Sequence, residues 1–181
     1  LHLFAEFGHW SMVSRKIKHW KPQTHISTTN KEIYTFLREM DYCEKSNAEP
    51  TKILEKIPEN LRHYFWRGFS DGDGSFYVGR CKKFTVAGKI DYQWAEVSKM
   101  LQNINIDNFQ IERRKTKTGQ SSLVQMDTFD AIIKLGEYIY QGYLDDNIGL
   151  PRKYKKFQEI KKRAPTNRIK ITNIETGEIH L

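Results

Sequence analysis

Cysteine is scarce. Only Cys43 and Cys81 occur among 181 residues, too few for a disulfide framework and without metal-ligand spacing. A secreted, disulfide-stapled scaffold is excluded, and a reducing compartment within the cell, cytoplasm or organelle matrix, is expected. Long apolar runs are missing as well. No stretch approaches the roughly 18 residues of a membrane span, and no secretory leader is recognisable. Negative charge is in short supply: 22 Asp and Glu face 30 Lys and Arg, a net charge of +8, with a pI near 9.4. That balance favours a polyanionic partner, most simply nucleic acid. Aromatic residues reach 13 %, enough for a core and for contacts to bases or sugars. Leu1 falls inside what reads as an amphipathic element, so the sequence is expected to be a fragment with an absent upstream part.

What is there centres on Arg62–Phe76, RHYFWRGFSDGDGSF. Pro58 suits a first helical position, because its fixed φ fits a helix and its missing N–H is not needed there. Leu61, Tyr64, Phe65 and Phe69 recur at helical spacing and form one apolar stripe. Gly68 and Gly72 stand four apart on a neighbouring face, where missing side chains let another backbone come close. Asp71, Gly72, Asp73 and Gly74 end the helix. Carboxylates there face the negative end of the helix dipole, which a bound cation would relieve. The residues alone support equally a glycine-capped core helix with two solvated aspartates. A calcium loop is disfavoured: Asp71, Asp73 and Ser75 alternate correctly, but the twelfth position is Lys82, not Glu.

The chain on either side repeats a pattern. Residues 1–10 read as the end of a helix breaking at Gly8. Ser11–Lys18 and Thr24–Thr28 read as strands around a turn at Pro22. Thr29 and Glu32 form a capping box for a helix reaching about Met40. Residues 44–57 are polar, with Pro50 in the middle, and read as a linker. After the central helix come a strand at 75–80, extended pieces at 84–86 and 90–92 around Gly88, and a helix at 93–102. Strands at 108–117 and 121–126 follow, joined by Thr118-Gly119, and then a helix capped by Asp127. The order strand, strand, capped helix thus occurs twice, as duplicated architectures do. Residues 152–163, RKYKKFQEIKKR, form a cationic helix that suits either phosphates or plain solvent. Residues 168–181 read as a hairpin.

Trp66–Gly74, WRGFSDGDG, resembles the nonapeptide of the LAGLIDADG homing endonucleases, and continues into Ser75-Phe76 as that family often does. Ile57-Pro58 before it and Leu150–Phe157, LPRKYKKF, after it also resemble family features. The resemblance implies an α+β fold built on an αββαββα repeat with a curved antiparallel DNA-binding sheet. Residues 1–43 would be the second half of a first repeat, 58–163 a complete second repeat, and 164–181 the possible start of a modular DNA-binding repeat. It further implies a homing endonuclease making a site-specific, Mg²⁺-dependent double-strand cut in DNA by phosphodiester hydrolysis. The alternatives are a maturase that binds structured intron RNA with the same fold, and a DNA-binding protein that has lost cleavage.

The resemblance also assigns roles. Asp73 would be the catalytic, metal-binding acid, helped by the backbone carbonyl of Gly72. Asp71 would support the helix end. Gly68 and Gly72 would form the helix interface, with the second aspartate-bearing helix supplied upstream or by a second chain. The basic group near the attacking water would come from Arg114, Lys115 or Lys117, with Gln125 on the adjacent strand also facing the site. Arg80, Lys82, Lys83, Arg113, Lys115 and Lys117 are groove candidates, joined by Arg15, Lys16 and Lys18 of the first copy. Alternation along a strand means that neighbouring members of this set cannot all face DNA.

Overall fold

The computed structural model describes residues 10–15, 23–42, 49–116, 119–165, 171–172 and 179–180. Among these the chain is α+β, with antiparallel sheets. Strands β1 (Trp10–Arg15) and β2 (Gln23–Thr28) pair antiparallel, with Trp10 opposite Thr28, and lead to helix α1 (Lys31–Glu39). The sequence points to Thr29 as the cap of α1. Asn30 takes that place, its Oδ1 accepting from Ile33 N at 3.0 Å. Thr28 Oγ1 accepts from Asn30 N at 3.1 Å, which tightens the turn and starts the helix one residue later. The helix expected before Gly8, and Lys16 and Lys18, lie outside the described residues.

The expected linker holds a helix, α2 (Thr51–Lys56), and is tied down. Leu54 is buried in the main core. Glu49 accepts from the backbone N–H groups of Ala95 and Glu96 at 3.2 and 3.1 Å, capping the next unit's helix with a carboxylate at its positive end. Polar composition concealed this, because one leucine and one carboxylate do the anchoring.

A 3-10 turn at Glu59–Leu61 precedes α3 (Arg62–Asp73), so Pro58 caps that turn rather than opening the helix. Strands β3 (Gly74–Val78), β4 (Lys82–Lys89), β5 (Gln110–Thr116) and β6 (Gly119–Met126) form one antiparallel sheet in the order β3-β4-β6-β5. β4 runs unbroken through Gly88 to Lys89, so of the two extended pieces expected at 84–86 and 90–92 the first lies within this strand and the second is a turn. A Cβ at Gly88 would sit 2.9 Å from the Trp94 indole, so the glycine admits that ring rather than breaking the strand. Trp94 takes a left-handed φ of 63° and donates from Nε1 to Ser122 Oγ at 2.9 Å. Helix α4 (Ala95–Asn103) therefore starts two residues later than its apolar spacing suggests. Thr128, not Asp127, caps α5 (Phe129–Ile139), accepting from Ala131 N at 3.3 Å. The short α6 (Tyr143–Asp146) and the basic α7 (Pro151–Arg163) follow. Two-residue strands β7 (Ile171–Thr172) and β8 (Ile179–His180) pair in the expected tail hairpin.

Phe76, Phe84, Val86, Val124 and Met126 line one face of the four-stranded sheet. They bury against Trp66 of α3, Val97 and Leu101 of α4, Ile132, Leu135 and Ile139 of α5, and Phe157 and Ile160 of α7. The helices thus cover one face, and the other carries the polar partners of the alternation. Among the described residues no helix is long and apolar enough to cross a membrane.

Two phenols sit in this core. Burial pushes Tyr92 and Tyr140 above the ordinary tyrosine value of 10.0, and the Asp71 carboxylate adds to the shift at Tyr140. The unfolded chain ionises both from about pH 10, whereas the folded chain keeps them neutral. Their stabilisation is thus complete below that pH and is lost as pH rises above it. The melting temperature should fall as pH rises above about 10, and Tyr140→Phe should flatten that slope; a slope unchanged in the variant would contradict the assignment.

Candidate functional site

Helix α3 ends abruptly. Gly74 follows it in extended conformation, with φ −83° and ψ 161°, so chain direction passes from helix to strand without a left-handed turn. A Cβ at Gly74 would lie 2.5 Å from Ser70 O and 3.1 Å from the Phe84 ring, so only glycine fits this exit. The two aspartates at the tip point different ways. Asp71 is 7 % exposed; its Oδ1 accepts from the Tyr140 hydroxyl at 3.1 Å and its Oδ2 from Leu150 N at 2.7 Å. Asp73 is exposed. The helix period turns one carboxylate into the protein and leaves the other at the surface.

Gly68 and Gly72 lie one turn apart on the exposed side of α3, and a Cβ at either would meet no atom within 4 Å. They and Asp73 line a cavity of about 330 Å³, with Phe65, Phe69, Tyr42, Tyr92, Trp94 and Lys89 among its walls. Burial, and then the nearby Asp73 charge, push the Tyr42 phenol up. Because nothing occupies the space over Gly68, Gly68→Ala should stabilise the chain by about 0.5–1 kcal/mol through helix propensity alone. A denaturant midpoint that falls instead would mean the glycine face is already packed.

Cross-strand register sorts the basic candidates. Residues directly opposite share a face. Ser75, Tyr77, Lys83, Thr85, Ala87, Lys89, Ser121, Leu123, Gln125, Gln110, Glu112 and Arg114 therefore fall on the face away from the helices. Side chains on it are linked. Lys83 Nζ donates to Gln125 Oε1 at 3.2 Å, and Gln125 Nε2 donates to Gln110 Oε1 at 2.9 Å and to Glu112 Oε1. Arg114 Nε donates to Glu112 Oε2 at 2.6 Å. Lys82, Arg113 and Lys115 fall on the helix-side face by register. Lys82 Nζ lies 4.6 Å over the Phe129 ring, and Arg113 Nε donates to Ile90 O at 3.2 Å. Arg80 is exposed in the bend between β3 and β4. The backbone of Arg15 is in β1, but its side chain and Lys16, Lys18 and Lys117 lie outside the described residues.

Two residues of the site were not singled out by sequence. Lys89 shares the outer row with Lys83 and lines the cavity with Asp73. Carrying the strand alternation through Gly88 would have found it. Lys153 is 5 % exposed and donates from Nζ to the carbonyls of Ser70, Asp71 and Gly74 at 2.9, 2.6 and 2.5 Å. The sequence presents it as one cation in a cationic run, yet it shares the buried face of α7 with Phe157 and Ile160.

Asp73 and the Gly72 carbonyl suit a hard divalent ion in kind, since Mg²⁺ takes one or two carboxylates and fills its shell with water and phosphate oxygens. Among the described residues no three His, Cys, Asp or Glu side chains cluster. No protein-family model matches the chain, and no curated protein sequence matches it.

Proposed function

We propose that this chain is a LAGLIDADG-type, site-specific DNA endonuclease working with a second aspartate-bearing helix, from elsewhere in its polypeptide or from another chain. One observation carries this reading: a helix whose small-residue face is open along Gly68 and Gly72 ends in an exposed Asp73, while Asp71 beside it is consumed in packing. Glycines cost a helix about 0.5–1 kcal/mol each relative to alanine. Two on one open face are unfavourable unless another backbone comes to rest there.

In this proposal the outer face of the sheet lies in the major groove, which admits a β-ribbon. Lys83 and Arg114 meet bases or phosphates there, Tyr77 extends the surface at the β3 edge, and the buried Gln125 amide holds Lys83. Duplex held there brings a phosphodiester toward Asp73. Asp73 Oδ and the Gly72 carbonyl, with a second carboxylate from the facing helix, would hold Mg²⁺. When bound, Mg²⁺ supplies Lewis acidity for in-line attack by water and for departure of the leaving oxygen. Lys89, which lines the same cavity as Asp73, would hold the attacked phosphate. The glycine face closes the site by seating the second helix, so Gly68→Leu should abolish cutting while leaving the isolated fold intact.

The test is incubation of a long-site duplex library with the chain, joined to any coding sequence preceding Leu1, in Mg²⁺ or EDTA. The proposal expects breaks recurring at one sequence in Mg²⁺ alone. Uncut DNA, together with tight binding to structured intron RNA, would replace it with the RNA-binding reading.

A further inference from the structure

We propose that Lys153 is the positioning residue for the Asp73 carboxylate: one buried ammonium, tied to carbonyls on both sides of Gly72-Asp73, fixes the helix tip. The last carbonyls of a helix lack partners within it, and a left-handed glycine usually turns the chain to satisfy them. Here Gly74 is extended and the usual turn is missing. Gly74 N bonds to Ser70 O, and Lys153 adds a donor to Ser70 O, one to Asp71 O and one to Gly74 O just past the helix. An ammonium has three donors and no acceptor, and Ser70 O, Asp71 O and Gly74 O take all three.

The arrangement answers a local problem. Asp73 stands between two glycines, the least constrained residues of the chain. Gly74 is required by the contact with Ser70 O and Phe84, and Gly72 belongs to the open face. A carboxylate flanked this way would sweep many directions, whereas a working metal ligand must hold within about 0.5 Å. Lys153 brackets that flexible pair from Asp71 O to Gly74 O. It is anchored in turn by α7, whose Phe157 and Ile160 sit in the core. Burying an ammonium is costly. Burial, then Arg152, push the lysine toward its neutral form, and the carboxylates of Asp71 and Asp73 oppose them. The negative end of α3 favours the charge as well. With every N–H spent on backbone and the group buried, Lys153 donates no proton to a substrate. It acts through Asp73.

The role rests on the nuclease reading only in what the carboxylate is held for; the order of the tip is measured without metal or DNA. In ¹⁵N relaxation of the 181-residue chain, the amides of Gly72, Asp73 and Gly74 should show order parameters near 0.85, falling below about 0.6 in Lys153→Met. The rest of α3 should stay rigid. Tip amides as rigid in the variant as in wild type overturn the proposal. Wild type alone gives a second measurement should the variant not fold: a slowly exchanging ammonium resonance for Lys153, coupled to the three carbonyls. An ammonium exchanging as fast as exposed lysines also overturns it. In the cleaving assembly, Lys153→Met should raise the Mg²⁺ concentration for half-maximal cutting at least about tenfold, as loss of an outer partner of a metal ligand does, with DNA affinity unchanged. An unmoved Mg²⁺ response overturns the positioning role. A wild type that never cuts DNA removes the nuclease reading and leaves the tip measurement standing.

Discussion

Arg67→Met should lower the stability of the chain by about 3–5 kcal/mol, because it leaves several buried or half-buried acceptors without their donor at about 1–3 kcal/mol each. Arg67 is 1 % exposed. Its Nε donates to Ile139 O at 2.7 Å, and its Nη1 donates to both Asp146 oxygens at 3.0 and 3.1 Å and to Ile148 O at 2.7 Å. Nη2 donates to Gln141 O. One guanidinium thus ties α3 to the whole connection between α5 and α7. Methionine fills much of the volume but leaves three carbonyls and a carboxylate without their donor. Lysine should not rescue the loss, because a single ammonium cannot reproduce the planar fork that reaches all four acceptors. Urea denaturation measures it; a loss below about 1 kcal/mol, the worth of an exposed pair, would show that the network contributes little. The connection matters to the site, since Leu150 N caps Asp71 and Gly149 packs against it. A Cβ at Gly149, where φ is +139°, would meet Asp71 Oδ2 at 3.0 Å.

The second large effect separates the two aspartates. Asp73→Asn should cut cleavage by more than about 100-fold, since loss of even an outer-shell partner of a metal ligand costs 10- to 100-fold. Stability should stay within about 0.5 kcal/mol, as for surface substitutions generally. Asp71→Asn should do the reverse at first: it turns an acceptor of two hydrogen bonds into a group with one donor end. That leaves Tyr140 OH or Leu150 N poorly matched, at about 1–3 kcal/mol. Parallel melting curves and cleavage assays resolve the two. Equal stability losses, with equal activity, would merge their roles and end the distinction.

The helix–turn–strand at residues 62–78, the pairing of β5 with β6 and the tail hairpin were legible because each rests on local spacing or a turn signal. The inward turn of Asp71 was legible as a supporting role only through the resemblance, since helical spacing does not say which side of α3 is covered. The errors are of one kind. Local chemistry points to Thr29 and Asp127 as starts and apolar spacing to Gln93, whereas Thr28 Oγ1, the Thr128 cap and the left-handed Trp94 decide the starts through particular bonds and backbone geometry. The linker hid α2 because a single buried leucine carries it. Lys153 was hidden by its neighbours: in RKYKK, only the spacing to Phe157 and Ile160 tells which cation points inward. The cationic character of these strands was legible as a composition, and only cross-strand register divides Lys83 and Arg114 from Lys82 and Arg113.

The most direct test asks where a divalent ion settles. Mn²⁺ added to the ¹⁵N-labelled chain, assembled with the proposed second helix and a cognate duplex, should broaden amides centred on Gly72–Ser75, and Asp73→Asn should abolish that centre. Broadening that is centred elsewhere, or that survives Asp73→Asn unchanged, would contradict the account.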